Sequence, residues 1–243
     1  MPLNYYPERI DENEIIRELT KMRQHFIQCR NTLREQQTLP ARDARILAFN
    51  KVIDTITAYS HQLALHVSVV EDAQNWQTLY GADRPLQQAQ LFSRMLINYM
   101  ISSFFLIFFL DMESTLRTIG RTYLEKLDGD ITFGKIYTTL VDDLGLNEDY
   151  KNLCIILALL RNTMHNGTVY YSQRGDQRFT YKGILYEFIN KTHCPWASIE
   201  IILSLSKDIG DFYLDIFQHP TIAAMPYIED WMTQAIGSAK PKK

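Results

Sequence analysis

Apolar residues recur at three- and four-residue steps through most of the chain, the spacing that lines up one face of an α-helix. From Glu12 to Gln37 they are Ile15, Ile16, Leu19, Met22, Phe26 and Leu33, and Pro40 closes the run. Ile46, Phe49, Ile53, Ile56, Tyr59 and Leu63 repeat the pattern, with Asp43 near its start, so two long antiparallel helices are predicted. Gly81, Asp83 and Pro85 mark residues 72–85 as a loop. A third, long helix is predicted from Leu86 to Leu127, with Gly120 as a point of bending or breakage and Asp128-Gly129-Asp130 as its end. A shorter helix follows over Gly134 to Leu144. The next starts at Asn147, an N-cap residue type, and carries Glu148 and Asp149 where anions suit the positive end of the dipole. It stops at Asn166-Gly167, glycine being favoured just past a helix end.

After Gly167 the period changes. β-Branched and aromatic residues flank Arg174-Gly175-Asp176, which predicts a β-hairpin over residues 168–188. Pro195 precedes another amphipathic segment, Ala197 to Phe217, and Pro220 and Pro226 interrupt the chain before a last short helix ending near Ile236. The tail, 238–243, reads as disordered. Neither a repeat nor a dividing linker is visible. The pattern therefore predicts an all-α, antiparallel helical bundle with a small β-hairpin insertion. It forms one domain over residues 1–237, with an N-terminal helical hairpin at 8–70 and a core at 86–217.

Composition fits an ordinary globular chain: 46% of the 243 residues are hydrophobic and 22% charged. Three cysteines cannot form a fully paired disulfide framework, so a reducing, cytoplasmic setting is expected. The first residues, MPLNYYPERIDENE, show neither a basic n-region nor an apolar h-region, and no signal peptide is expected. A net charge of −3 gives no global positive field for polyanions. Met95 to Leu110 is the one stretch that suggests a membrane. Sixteen helical residues span only ~24 Å against a ~30 Å hydrocarbon core. A central helix buried on all sides, with no membrane partner, is the expectation; membrane association through residues 95–110 is the competing reading.

The chain has no glycine-rich phosphate loop, no CxxC pair, no HExxH and no GxSxG. His25 and Cys29 are four apart on a predicted helix and could share a metal, but two ligands without a third make a weak case. No metal and no cofactor are expected. His61, His66, His193 and His219 stand alone.

The cluster that carries chemistry is Leu160-Arg161-Asn162-Thr163-Met164-His165-Asn166-Gly167. On one helix, Leu153, Leu157, Leu160 and Met164 form an apolar stripe, and Cys154, Ala158, Arg161 and His165 form the stripe beside it. Arg161 and His165 then lie ~40° apart around the axis and ~6 Å along it. The small Cys154 and Ala158 would let another helix or subunit approach. An arginine can grip a phosphate bidentately and stabilise transition-state charge. A histidine titrating near neutrality can pass protons to or from a ribose hydroxyl. The plain alternative is that Arg161 pairs with a carboxylate and His165 caps the helix C-terminus.

LRNTMHNG, ending one helix and running into a predicted hairpin, resembles the signature of the HEPN superfamily, the higher eukaryotes and prokaryotes nucleotide-binding domains. The resemblance covers roughly residues 90–217 as helix order, not identity. It implies an α-helical bundle and, for many members, a metal-independent endoribonuclease. Two protomers face each other there, and RNA is cut by 2′-hydroxyl attack to leave a cyclic phosphate. Matched to the motif, Arg161 is the phosphate contact, Asn162 the polar orienting residue and His165 the proton-transfer residue. Three residues separate Arg161 from His165, fewer than the commoner family spacing. Glu113, in FFLDMESTLR after the apolar run, matches an acidic residue on a helix packed against the motif helix, and is implied to hold or neutralise Arg161. The family also implies a homodimer, a toxin or antiphage-defence role, and an antitoxin or other protein partner.

Arg174, Arg178 and Lys182 on the hairpin, interleaved with Tyr170, Tyr171, Phe179 and Tyr181, suit single-stranded RNA. A solvated hairpin whose aromatics pack on the bundle is the plain alternative. Against the nuclease stands a non-catalytic HEPN-like module that binds RNA, a nucleotide or a protein; the acidic balance and the short spacing favour it.

Overall fold

The computed structural model describes residues 12–71, 75, 78, 86–124 and 131–230, with the backbone alone at 70, 71 and 86–94. Among the described residues these elements follow in order: α1 (Glu12–Gln36), α2 (Ala44–Glu71), α3 (Leu86–Tyr123), α4 (Phe133–Asp143), α5 (Asp149–His165), β1 (Gln177–Tyr181), β2 (Ile184–Phe188), α6 (Ile199–Gln218) and α7 (Pro220–Ala223). The fold is a mostly α-helical bundle with a two-stranded antiparallel hairpin. The loop predicted over 72–85 lies outside the described residues except Asn75 and Thr78, which are helical. The predicted helix end at 128–130, the helix near Ile236 and the 238–243 tail lie outside them as well.

The amphipathic pattern dictates the packing. Ile15, Leu19, Met22, Phe26, Cys29 and Leu33 make the buried face of α1, which packs on α2 and α6. Phe26 meets Phe49 of α2 edge to face at 6.4 Å and Phe108 of α3 at 6.5 Å. Phe49 meets Tyr213 and Phe217 of α6 at 5.9 and 5.7 Å. Four helices therefore share one aromatic centre, each such pair worth ~0.5–1.5 kcal/mol beyond the area it buries. The apolar cluster is continuous from Ile15 to Ile228.

Helix α3 runs unbroken through Gly120, which is buried. Phe104, Phe105, Phe108, Phe109, Met112, Leu116 and Ile119 point into the bundle at three- and four-residue steps. The expectation of a helix buried on all sides is corrected. Met95, Tyr99, Ile107 and Leu110 are exposed, Tyr99 at 71%, because α2, α4, α5 and α6 cover only part of the circumference. By length and composition alone, Met95–Tyr123 could cross a membrane.

The hairpin forms where the period changes, but its turn is elsewhere than predicted. Tyr181 pairs with Ile184, which leaves Lys182-Gly183 as a two-residue loop with φ of 47° and 77°. Two positive φ values are the signature of a type I′ turn, whose twist matches the strands. Arg174-Gly175-Asp176 instead lies before β1, where Asp176 accepts the Asn190 N–H at 2.8 Å and ties the lead-in to the chain after β2. Gly183→Val should cost about 1–2 kcal/mol, the penalty of a side chain in the left-handed region. Urea unfolding of both proteins measures this; a loss below about 0.5 kcal/mol, the scale of neutral surface changes, would contradict the turn.

Candidate functional site

Helix α5 is held from three sides. Leu153, Cys154, Ile156, Leu157 and Leu160 are buried against α4, α3 and α6, and β1 packs alongside. Its start is fixed by Asn147, whose Oδ1 accepts the Asp149 N–H at 3.0 Å, although Glu148 occupies the cap position itself. At its end the chain turns through Gly167 and Thr168 at φ of 66° and 71°. Thr168 Oγ1 is 2.9 Å from His193 Nδ1, and this contact helps hold a conformation that is unfavourable for a β-branched residue.

Arg161 leans from α5 onto α3. Its guanidinium carbon lies 4.7 Å from the centre of the Phe109 ring. Its Nη2 is 3.5 Å from Glu113 Oε2. Phe109 and Glu113 are one turn apart on α3, so a single helix face supplies both contacts. Glu113 is more tightly engaged by Arg117 of its own helix, at 2.6 and 2.9 Å through Oε1, and Arg117 also donates to the Ile131 carbonyl. Two guanidinium groups thus share one carboxylate and leave a local charge of about +1. Arg161 Nε is buried without a hydrogen-bond partner, while the side chain as a whole is 31% exposed. The cation is positioned, but its donors are not used up.

Asn162 and His165 are both exposed. Neither side chain makes a hydrogen bond or ion pair among the described residues, so His165 does not cap the helix; the backbone N–H of Asn166 closes it on Asn162 and Thr163. Arg161 is therefore brought to Glu113, while Asn162 and His165 are presented to solvent near it. The stripe Cys154–Ala158–Arg161–His165 does not form one surface. Cys154 is fully buried and burial pushes its thiol pKa up, so it cannot face a second subunit, while Ala158 and Arg161 are half-buried and His165 is exposed.

The hairpin cations are more committed than their sequence suggests. Arg178 pairs with Glu187 directly across the strands at 2.7 Å, and Lys182 pairs with Asp208 of α6 at 2.9 Å. Tyr170 and Tyr181 are buried and Phe179 is half-buried, packed on the apolar cluster. All three cations are exposed, but Arg174 makes no ion pair among the described residues, and Tyr171 is the exposed ring of the set.

A second polar row went unread in the sequence. Asp208, Asp211 and Asp215 occupy one face of α6, and each engages a different element. Tyr181 OH donates to Asp208 at 3.0 Å, and Tyr150 OH donates to Asp215 at 2.6 Å. Asp211 Oδ1 lies 3.0 Å from His25 Nε2 of α1. Cys29 Sγ lies 3.6 Å from the same nitrogen. The Asp211 carboxylate, followed by Cys29, holds the His25 pKa up at about 9 against the opposing effect of burial. His25 in turn lowers the pKa of Asp211, with Lys182 and Lys207 adding to the effect. The signal was the i, i+3, i+7 spacing of the three aspartates within a helix otherwise rich in apolar residues.

Comparison with protein-family models, with curated proteins and with solved structures gives no match. Fold and site together define the class: a helical bundle with a hairpin, carrying a partly satisfied arginine and an exposed histidine one turn apart near the end of a buried helix.

Proposed function

We propose that this protein is a HEPN-like, metal-independent endoribonuclease that acts as a cytoplasmic homodimer in a toxin or antiphage-defence setting. The observation that carries the reading is Arg161. Phe109 and Glu113 hold it, yet the side chain is 31% exposed at the edge of the bundle and, beyond the 3.5 Å Glu113 contact, makes no hydrogen bond or ion pair among the described residues. The two non-bridging oxygens of a phosphodiester are the bidentate acceptor such a planar group is suited to. With a phosphate on Arg161, neutral His165 takes the proton from the ribose 2′-hydroxyl. The O2′–P bond forms, the P–O5′ bond breaks, and a protonated histidine of the facing copy gives its proton to the departing oxygen. The products are a 2′,3′-cyclic phosphate and a 5′-hydroxyl. Glu113 positions Arg161, and Arg174 with Tyr171 extends the path for single-stranded RNA.

The test compares single-stranded RNA with an all-deoxy strand, with and without EDTA, on protein whose mass is set by sedimentation. Cleavage of RNA alone, unchanged by EDTA and made by a dimer, is expected. Cleavage of the all-deoxy strand, or activity confined to a monomer, would reject the mechanism. A non-catalytic module binding RNA, a nucleotide or a protein partner is the second reading; it is favoured by the exposed, unoriented side chains of Asn162 and His165. Tight RNA binding without a cyclic-phosphate product would select it.

A further inference from the structure

Away from Arg161, helices α1 and α6 bring together two neighbouring side chains and a third far away in sequence. His25 and Cys29 are an i, i+4 pair on α1, and Asp211 faces them from α6. Their donor atoms all lie within 4.8 Å of one another. We propose that His25 Nε2, Cys29 Sγ and Asp211 Oδ1 form a three-ligand site for a borderline-soft divalent cation of the zinc type, with a fourth position left for water.

The geometry argues for it in three ways. Zinc bonds of ~2.0–2.1 Å to nitrogen and ~2.3 Å to thiolate, at a tetrahedral angle, separate N from S by ~3.6 Å and N from a carboxylate O by ~3.3 Å. The observed separations are 3.6 Å for His25 Nε2 to Cys29 Sγ and 3.0 Å for His25 Nε2 to Asp211 Oδ1. The nitrogen–oxygen pair is within a few tenths of an ångström of that value, and Cys29 Sγ lies within 4.8 Å of the carboxylate oxygen of a half-exposed aspartate, against ~3.5 Å across a shared zinc. Ligand type fits as well, since imidazole, thiolate and carboxylate together select zinc over calcium or magnesium. Access is also present. Cys29 is buried, but the side chains of His25 and Asp211 are 21% and 45% exposed, which leaves an entry on the Asp211 side.

Gly210 supplies an independent observation. A Cβ there would sit 3.0 Å from His25 Cδ2, 3.1 Å from Nε2 and 3.6 Å from Cys29 Sγ. Mid-helix glycine costs about 1 kcal/mol relative to alanine, so its presence needs a packing reason. The reason on view is that the α6 backbone approaches the converging donors themselves. Binding replaces the Nε2 proton with the metal and ionises the Cys29 thiol, so protons leave as the cation enters. The bound ion would tie α1 to α6, next to the aromatic centre, and shares no residue with the Arg161 site.

The experiment uses the full chain, freed of metal by a chelator and then titrated with Zn²⁺ and with Co²⁺ as a coloured substitute. One Co²⁺ per chain is expected, with a thiolate-to-metal charge-transfer band and the visible bands of four-coordination. Cys29→Ser should abolish the charge-transfer band. Asp211→Asn, which keeps shape at a half-exposed position, and Gly210→Ala, which keeps all three donors but crowds them, should each weaken Zn²⁺ binding at least about tenfold, a loss even outer partners of a metal site produce. Circular dichroism checks that each variant is folded; should Cys29→Ser fail to fold, Asp211→Asn and Gly210→Ala decide. No charge-transfer band in wild type, or Zn²⁺ affinity unchanged in both Asp211→Asn and Gly210→Ala, would overturn the proposal and leave His25 and Asp211 as an ion pair only.

Discussion

Arg45→Ala should destabilise the protein by about 3–5 kcal/mol, the cost of removing one partner from a buried ion pair. Arg45 and Asp43 are both fully buried at the start of α2. Arg45 meets Asp43 through Nε at 2.8 Å and Nη2 at 2.7 Å, and donates to the carbonyls of Ile222 and Met225 at 2.9 and 3.0 Å. Asp43 also accepts the backbone N–H of Ile228 at 3.2 Å, and Ala44 N–H donates to the Ile228 carbonyl at 2.8 Å. The pair therefore clamps the chain after α6 onto the N-terminus of α2. Truncating Arg45 leaves the buried Asp43 carboxylate without its guanidinium and takes a donor from each of the Ile222 and Met225 carbonyls. At ~2–4 °C per kcal/mol for a chain of this size, Tm should fall by on the order of 10 °C. The double variant Asp43→Ala/Arg45→Ala should lose less than the sum of the two single changes, because it removes the orphaned charge together with its partner. Denaturant unfolding of the four proteins completes the cycle. A loss below about 1 kcal/mol for Arg45→Ala, the worth of a surface pair, would show that the clamp is not closed in solution.

Periodicity made the helices legible. The buried face of α1 is, residue for residue, the stripe read at three- and four-residue steps, with Cys29 added and Ile16 at its margin. The hairpin was legible as a change of period, but not its turn. Arg174-Gly175-Asp176 has turn chemistry, and so has Lys182-Gly183; only strand pairing chooses between them, and pairing is set by Tyr181, Tyr186 and Phe188 finding the core. The apolar run of α3 showed that a helix is buried, but not how far around, because coverage depends on neighbours that periodicity does not place. The Asp43–Arg45 clamp was invisible for a related reason. Its acceptors are backbone carbonyls about 180 residues away, and backbone atoms carry no sequence signal. At the candidate site, Arg161 and Glu113 could be paired in advance through the family resemblance, since FFLDMESTLR by itself offers Asp111 as well as Glu113 to a half-buried guanidinium. The competing claim of Arg117 on the same carboxylate is an i, i+4 contact that was equally readable and went unread. Asp211 could not be assigned to His25 and Cys29 from sequence, since a third ligand 182 residues further on requires knowing that α6 lies against α1.

Arg161→Ala and His165→Ala should each remove most of the RNA cleavage while leaving the fold intact, and they should do so by different routes. In the proposed mechanism Arg161 would supply charge stabilisation where the phosphorane oxygens develop; one lost donor of that kind costs about 100- to 1000-fold. In the same mechanism His165 would supply proton transfer, worth about 100- to 10,000-fold. The two can be told apart. Arg161→Lys keeps the charge but loses the planar fork, so it should recover part of the affinity for RNA and little of kcat. His165→Ala should bind RNA as tightly as wild type, because an exposed imidazole that is not held in place adds little to phosphate affinity. Glu113→Gln is the third arm. It releases Arg161 from its anion while Phe109 still carries the guanidinium, so RNA binding should tighten or hold while turnover falls, the pattern of a positioning residue. Stability should change little in His165→Ala, since the side chain is exposed and makes no bond. Each variant is read by single-turnover cleavage of labelled single-stranded RNA, by equilibrium binding at one fixed salt concentration, and by thermal melting. Full activity in His165→Ala would reject the proton-transfer role. A fall in activity for Arg161→Ala matched by an equal fall in melting temperature and in RNA binding would reduce Arg161 to a structural cation and shift the reading to the binding module.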